Sequence, residues 1–409
     1  MQRAITHLPE KILNQKPKLI NVAFIHDTFK RAVVAVALFL FSYSLLCGQE
    51  IHKGLWVLRE DLADPKRIDQ FLNHAQTLGF TDLFVQVRGR GDAMYHSKYM
   101  EISSLVIKRD FDPLKYVCSE GHKKGLKIHA WFNTYVLYSN HSEDPPELHL
   151  LSIFPEWIEW DENAASDLDK LKSSHNHQLF EGVYLSPLHP QVNRYLLVLM
   201  KELISEYNID GLHLDYIRFQ GPEFGYNPDG MDAFYKKFGV NPRLFMKDAP
   251  LWHDSESYTL FKNLYDQYRR DAINNLLKEL SSFNKQLNIP VILSAAVKAS
   301  PSEAKNHFYQ DWAEWLKQGW LDCAIPMNYT TRDQVYRENL LEIKDMLPAH
   351  YAQQVWIGNG IWNQDYSEFE KKVTVARSLN FPHYVIFSYN VLKADKEYFN
   401  RMKTFNHQD

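Results

Sequence analysis

From Lys53 onward, short runs of β-branched, aromatic and aliphatic residues alternate with longer stretches whose apolar positions recur at helical spacing. The short runs predict strands over Gly54–Glu60, Asp82–Gly89, Lys127–Asn133, Gly211–Phe219, Val291–Val297, Cys323–Tyr329, Val355–Gly360 and Tyr384–Asn390. The longer ones predict helices over Pro65–Leu78, Pro113–Lys124, Gln191–Tyr207, Tyr258–Phe283, His307–Gln318, Arg332–Leu347 and Ser367–Leu379, with a last one near Lys393–Met402. The first two of these helices open on Asp-Pro and close near Gly79 and Gly125, as helices with a proline in the first turn commonly do. Strands that alternate with crossover helices build a parallel sheet. Eight such units predict an α/β protein with a single (β/α)8 TIM barrel. Its enlarged loops are Thr134–Pro190 after the third strand and Gln220–Ser257 after the fourth. A doubly wound sheet would carry a glycine-rich phosphate turn after its first strand. The only glycine-dense turn, Arg88-Gly-Arg-Gly-Asp92, follows the second strand and lacks dinucleotide or P-loop spacing, so no cofactor is expected.

Side chains alternate faces along a strand. In the fourth strand Leu212, Leu214 and Tyr216 suit the helix layer, which turns His213 and Asp215 toward the barrel axis. Asp215 lies nearer the C-terminal end of the strands, where active sites of this fold are built. The same alternation turns Gln86 and Arg88 inward on the second strand and His129, Trp131 and Asn133 inward on the third. A carboxylate inside a barrel needs a partner or a task. An ion pair with Arg88 or Arg218 would satisfy Asp215, and so would catalysis. Cleavage of a glycosidic bond uses one acid to protonate the departing oxygen and usually a second carboxylate to attack or to activate water. Asp215 is the first candidate. Asp92, just past the second strand, and Glu223, in the loop after the fourth, are alternatives for the second. Each also has a structural reading, Asp92 as a turn residue bonded to its own backbone and Glu223 as a solvated loop charge. Asp311 and Glu314 read as the start of a helix, while Asp210 and Asp322 precede their strands and belong to the opposite end of the barrel. Arg59, Arg88, His129, Trp131, Asn133, His213, Arg218, Asn328 and Tyr329 are the residues expected to bind substrate or tune the acids. Trp157, Trp160 and Trp362 fall in loops, where flat rings are available to stack on sugar.

His129, His213 and Asp215 also allow a metal-dependent hydrolase or deacetylase. The first strand supplies no HxH pair and no HExxH motif occurs, so no metal is expected. A net charge of −4 gives no basic field to hold a nucleic acid, whereas an aromatic content of 14% suits stacking on sugars as well as core filling. Cys118 and Cys323 fall in helical and strand patterns as small buried hydrophobes, and with Cys47 they make neither a CxxC pair nor an even disulfide framework. The apolar run Ala32–Cys47 follows Lys30-Arg31 and is shorter than a comfortable bilayer span, which reads as the core of a signal segment. Residues 1–49 are therefore expected to be an N-terminal extension with an export signal, and residues 50–409 the barrel. Ser44-Leu-Leu-Cys47 resembles a lipoprotein processing site with a large residue before the cysteine, so membrane contact is expected only through the signal or a lipid anchor. Nothing in the pattern specifies an oligomeric state.

Several segments together resemble the bacterial family 10 glycosyl-hydrolase-like proteins, secreted barrels related to glycoside hydrolases. They are Gly54-Leu-Trp-Val-Leu-Arg59, Phe84-Val-Gln-Val-Arg-Gly-Arg-Gly-Asp-Ala93, Gly125-Leu-Lys-Ile-His-Ala-Trp-Phe-Asn133 and Tyr184-Leu-Ser-Pro187, then Asp210-Gly-Leu-His-Leu-Asp-Tyr-Ile-Arg-Phe219, Gly221-Pro-Glu-Phe-Gly-Tyr226, Tyr309-Gln-Asp-Trp312 and Ile325-Pro-Met-Asn-Tyr329. The resemblance implies a (β/α)8 barrel in the cell envelope that hydrolyses a polysaccharide. Some relatives act on peptidoglycan strands lacking their peptides, and related barrels act on partly de-N-acetylated poly-N-acetylglucosamine. It also implies a catalytic role for Asp215, and it departs from the family in placing Glu223 where relatives carry Asp. A rival from another class is a glycan-binding protein on a catalytically silent barrel. Only a pair of acids flanking the scissile bond separates the two.

Overall fold

The structure, a computed structural model, describes residues 50–139, 147, 149–173, 181–245 and 256–407. The expected export segment lies outside the described residues. Among them no helix is long and apolar enough to cross a membrane.

The described residues form ten strands: β1 (Lys53–Val57), β2 (Asp82–Arg88), β3 (Lys127–Asn133), β4 (Val136–Tyr138), β5 (Val183–Tyr184), β6 (Gly211–Asp215), β7 (Ile292–Lys298), β8 (Cys323–Met327), β9 (Ile357–Gly360) and β10 (Tyr384–Phe387). Eight of them close a barrel in the order β1-β10-β9-β8-β7-β6-β3-β2, each neighbouring pair parallel. These are the eight strands the hydrophobic pattern predicts, so the (β/α)8 fold is the observed one. The remaining two, β4 and β5, pair antiparallel within the chain that follows β3.

The first two helices begin where the sequence placed them, each with proline in its first turn. Asp64 and Asp112 each accept a hydrogen bond from the backbone N–H three residues on, ahead of the helices Pro65–Thr77 and Pro113–Lys123. Several expected boundaries differ, two of them at residues in the left-handed region. The fourth barrel strand, β6, ends at Asp215 because Tyr216 turns into the left-handed region with φ 51°. The helix expected over His307–Gln318 is two helices, Pro301–His307 and Trp312–Lys317, parted at Tyr309 with φ 54°. A residue without glycine's freedom pays for such a conformation, so both breaks are imposed by surrounding contacts.

Two cores hold the barrel. Outward residues of the strands, such as Leu83, Val85, Leu212 and Leu214, pack against the helices. Inside, Trp56, Phe84, Trp131, Ile325, Trp356 and Val385 fill the barrel as one cluster. Burying each such side chain contributes about 1.5–3 kcal/mol, so the barrel is a packed core and not a channel.

Acids latch the strands at the N-terminal end. The Asp210 carboxylate accepts from the Ile128 N–H at 2.7 Å and contacts His122, and the Asp322 carboxylate accepts from the Leu293 N–H at 2.8 Å. Fully buried Asp82 meets His52 at 2.8 Å, His129 at 2.9 Å and the Thr81 hydroxyl at 2.6 Å. Burial alone would raise the Asp82 pKa, but the two histidines hold it well below the usual carboxylate range. The His129 ring fills the space where a side chain on Gly211 of the next strand would project, since a Cβ there would lie 2.1 Å from its Nδ1. Only glycine lets β6 pass this ring.

Candidate active site

The C-terminal mouth of the barrel opens into a cleft of about 440 Å³. Its floor is aromatic, formed by Trp56, Trp131, Tyr329 and Phe387, and its polar wall carries Arg59, Gln86, Asn133, Glu181, Asp215, Arg218 and Lys298. A mostly apolar concavity with a few convergent polar groups is the usual form of a small-molecule or glycan site.

Asp215 ends β6 and is 9% exposed. Its Oδ1 accepts the Tyr216 N–H at 2.7 Å, and its carbonyl accepts the Thr134 N–H at the same distance. The strained Tyr216 thus turns the chain away while its own N–H holds the carboxylate. Burial pushes the Asp215 carboxyl up to about 6. The Tyr216 N–H and Arg218 pull against that rise, and the charge of Glu181 reinforces it. The Trp131 indole adds a weaker downward pull without a well-formed hydrogen bond.

Glu181 is a site residue that sequence reasoning missed. Arg218 grips both its oxygens, at 3.0 and 2.9 Å, and the Tyr184 hydroxyl donates to it at 2.5 Å. Burial in the cleft raises its pKa, but Arg218 and Tyr184 outweigh burial and the net shift is downward. Its side chain remains 45% exposed at the rim. Two carboxyls of one cleft are therefore pushed in opposite directions, Asp215 toward holding its proton and Glu181 toward losing it. That is the arrangement by which a site runs acid and base chemistry at one pH. Nothing in the local pattern marks Glu181, which precedes a two-residue strand in a long loop. Lys298, also missed, was legible: β7 turns Leu293, Ala295 and Val297 into the outer core, so Ser294, Ala296 and Lys298 must face the axis. Burial lowers the Lys298 pKa.

Of the expected residues, Asp215, Arg59, Trp131, Asn133, Arg218 and Tyr329 come together in the cleft. The others do not. Asp92 lies beyond the Arg59 side of the cleft, its Oδ1 accepting from the Arg59 guanidinium at 2.8 Å and from the Arg90 N–H at 3.1 Å. Its structural reading, a turn residue bonded to nearby backbone, is thus the observed one, and Arg59 holds the same oxygen. Glu223 is exposed on its loop and curls back over Gly221, away from the cleft. Arg88 faces outward, because the β2–β3 register shifts between Gln86 and Arg88 and breaks the alternation on which the inward expectation rested. Its buried guanidinium donates to the carbonyls of Asn133, Thr134 and Val136 and lies over the Phe132 ring. His129 does face inward, but at the N-terminal end, where Asp82 holds it.

His213 lies one layer below the cleft floor. Its Nε2 accepts the Trp56 indole N–H at 3.2 Å, which leaves Nδ1 to donate to the Ser294 hydroxyl at 2.9 Å. Burial, with His129 nearby, lowers its pKa well below the usual value, so it stays neutral and positions Trp56. Asn328 points into the helix layer, donating to the Tyr336 carbonyl and accepting from Asn339. Of the loop tryptophans, Trp157 is buried against Phe154 and only Trp362 is broadly exposed, edge-on to Tyr329 at 5.0 Å. His129, His213 and Asp215 are committed to different partners at different depths, and among the described residues no three His, Cys, Asp or Glu side chains converge as metal ligands.

Comparison with known proteins agrees with this fold. Among solved structures, the glycoside hydrolase domain of PgaB (BpsB) from Bordetella bronchiseptica superposes with a TM-score of 0.60 over 86% of this chain and 98% of that one, at 12% identity. The catalytic domain of β-amylase from Paenibacillus polymyxa does so with a TM-score of 0.55 over 83% and 93%, at 13% identity. Both likenesses are of fold. Among curated proteins, the glycosyl hydrolase YngK of Bacillus subtilis (strain 168) is 27% identical over 64% of this chain and 48% of its own length. The glycosyl hydrolase DigH of Escherichia coli (strain K12) is 24% identical over 63% and 56%. The chain thus spans about half the length of the curated relatives it matches. The family model described as glycosyl hydrolase-like 10 matches residues 52–355, from the first barrel strand to the approach to β9. This chain belongs to the glycosyl hydrolase-like 10 family.

Proposed function

We propose that this protein hydrolyses glycosidic bonds of a cell-envelope or extracellular glycan, reached by export through the segment in residues 1–49. The substrate classes that the family resemblance favours are peptidoglycan strands without peptides and partly de-N-acetylated N-acetylglucosamine polymers. The observation that carries the reading is the pair of acids in one aromatic-floored cleft, with Asp215 raised to about 6 and Glu181 held ionised by Arg218. Protonated Asp215 donates to the departing glycosidic oxygen, and Glu181 supplies the second carboxylate that acts on the anomeric carbon directly or through water. Trp56, Trp131 and Tyr329 offer faces for the sugar rings, and Asn133, whose buried Oδ1 has no hydrogen-bond donor among the described residues, offers an acceptor to a substrate hydroxyl.

The test is release of reducing ends from both glycans by wild-type protein and by Asp215→Asn and Glu181→Gln variants, with and without chelator. Cleavage by the wild type and its loss in both variants, unaffected by chelator, supports the reading. Chelator-sensitive cleavage would favour a metal-dependent hydrolase. Tight binding with no cleavage of either glycan would make the protein a binding module. Fractionation of the native cell tests export, and a cytoplasmic product retaining Met1 counts against it.

A further inference from the structure

Beside the catalytic cleft lies a larger concavity of about 900 Å³, and Arg59 and Arg90 line both. Each volume falls in the range of roughly 300–1,000 Å³ that holds a ligand of a few rings. Sharing these two residues, the concavities adjoin.

The second concavity differs from an incidental surface dent in what it exposes. Tyr99 is 54% exposed, Ile153 48% and Phe154 36%, three of the large hydrophobic side chains that the described surface leaves in water, and all three line this one cavity. Phe154 does not swing freely. It stacks on Trp157 with ring centroids 4.4 Å apart and planes 14° from parallel, so one face is fixed and the other is available. Flat rings of this kind stack on the apolar faces of sugars.

The junction is also built. The backbone of Arg90 is pinned on both sides, its N–H donating to Asp92 at 3.1 Å and its carbonyl accepting from His149 Nε2 at 2.6 Å. His149 in turn accepts the Leu151 N–H on Nδ1, and burial lowers its pKa, so it is neutral and carries its proton on Nε2. Arg59 is held by Asp92. The Arg90 guanidinium, by contrast, makes no hydrogen bond or ion pair among the described residues, and it stands between the two cavities. Its five N–H donors suit the hydroxyl and acyl oxygens of a sugar chain.

We infer that the groove beyond Arg90 binds the continuation of the glycan chain, so that the protein engages its substrate along several consecutive sugars and acts on internal bonds of a polymer instead of trimming short ends. Arg90 is the residue that joins the two sets of subsites, and Tyr99 and Phe154 are the platforms of the outer set. This inference rests on the assignment of the cleft as a glycan site.

The experiment measures binding to the Asp215→Asn protein, in which cleavage does not consume the ligand, by calorimetry with size-fractionated peptide-free peptidoglycan strands and N-acetylglucosamine oligomers of about two and about eight sugars. The long oligomer of at least one series is expected to bind about tenfold or more tightly than its disaccharide, the gain that one or two good aromatic contacts supply. Adding Tyr99→Ala and Phe154→Ala together, or Arg90→Gln, is expected to abolish that gain. Circular dichroism confirms that each variant is folded, and Tyr99→Ala alone, at an exposed side chain, serves if the double variant is not. Equal affinity for long and short oligomers, or a length-dependent gain that survives these substitutions, overturns the inference while leaving the cleft reading intact. Failure of every oligomer to bind overturns both. Length-dependent binding without any cleavage by the wild type supports the groove and overturns hydrolysis alone.

Discussion

Acids sit at both ends of this barrel, and their partners differ. At the N-terminal end Asp82 is shared by His52, His129 and Thr81, and Asp210 and Asp322 each clasp a backbone N–H of the preceding strand. At the C-terminal end Asp215 has one backbone N–H and otherwise faces a cleft. The same residue type therefore stabilises the fold at one end and is stressed at the other, as the opposite shifts of Asp82 and Asp215 record. A carboxylate whose bonds are complete lowers the energy of the native state, whereas one left short of donors in an apolar mouth raises it and keeps a proton available.

That contrast makes predictions of decreasing size. Asp215→Asn is expected to lower turnover about 10²–10⁴-fold or more with little change in KM, while the protein stays folded by circular dichroism. Undiminished turnover would remove the distinction between the two ends. Asp82→Asn is expected to behave in reverse. Loss of a fully buried charge shared by two histidines costs about 2–4 kcal/mol of stability at neutral pH, read as a lower denaturant midpoint, with kcat of the folded fraction unchanged. Because the Asp82 pKa is depressed in the folded state, its contribution is present above the unfolded value and fades as pH falls below about 4, so wild type and variant should converge in acid.

The comparison sharpens with pH. Asp215 moves from 3.8 to about 6 on folding, so its contribution is full below the unfolded value and is lost as pH rises through about 6. Asp215→Asn, which cannot ionise, should therefore be more stable than wild type at pH 8, by about 2–3 kcal/mol, and should show no advantage near pH 4. A denaturation series across that range checks it. The same protonation sets activity: kcat/KM should fall on the basic side with an apparent pKa near 6, and on the acidic side only below the ordinary glutamate range, since Arg218 lowers Glu181. The smallest effect is at that pair. Arg218→Lys replaces a two-oxygen grip by a point charge and should move the acidic limb upward toward ordinary glutamate, with less than about tenfold loss at the optimum. An unmoved limb would show that Arg218 does not tune Glu181.

Several positions show how far the alternation of side chains carries. It turned Asp215, Trp131 and Asn133 toward the axis, and applied to β7 it also locates Lys298. It failed at Arg88, where one irregular step in the β2–β3 register reverses the face. At His129 and His213 it was right about direction and silent about depth: both face the axis, yet one is bonded to Asp82 at the N-terminal end and the other lies beneath Trp56. Asn328, just past the end of β8, is turned outward onto Tyr336 and Asn339. The choice of Asp92 or Glu223 as second acid rested on nearness in sequence to strand ends, and neither lines the cleft, whereas Glu181 reaches it from a loop that begins some fifty residues earlier at β3.

By itself the sequence determined the eight strands, the capped starts of the first helices and the inward face of β6, because those follow from short-range periodicity and from side chains bonding to backbone a few residues away. Tertiary structure alone decided which acid accompanies Asp215, which inward side chains reach the mouth, and that Arg59 and Arg90 border two adjoining cavities. Those depend on how far each strand extends along the barrel axis and on where long loops fold back over it. Both are set by contacts between residues far apart in the chain, and no local pattern encodes them.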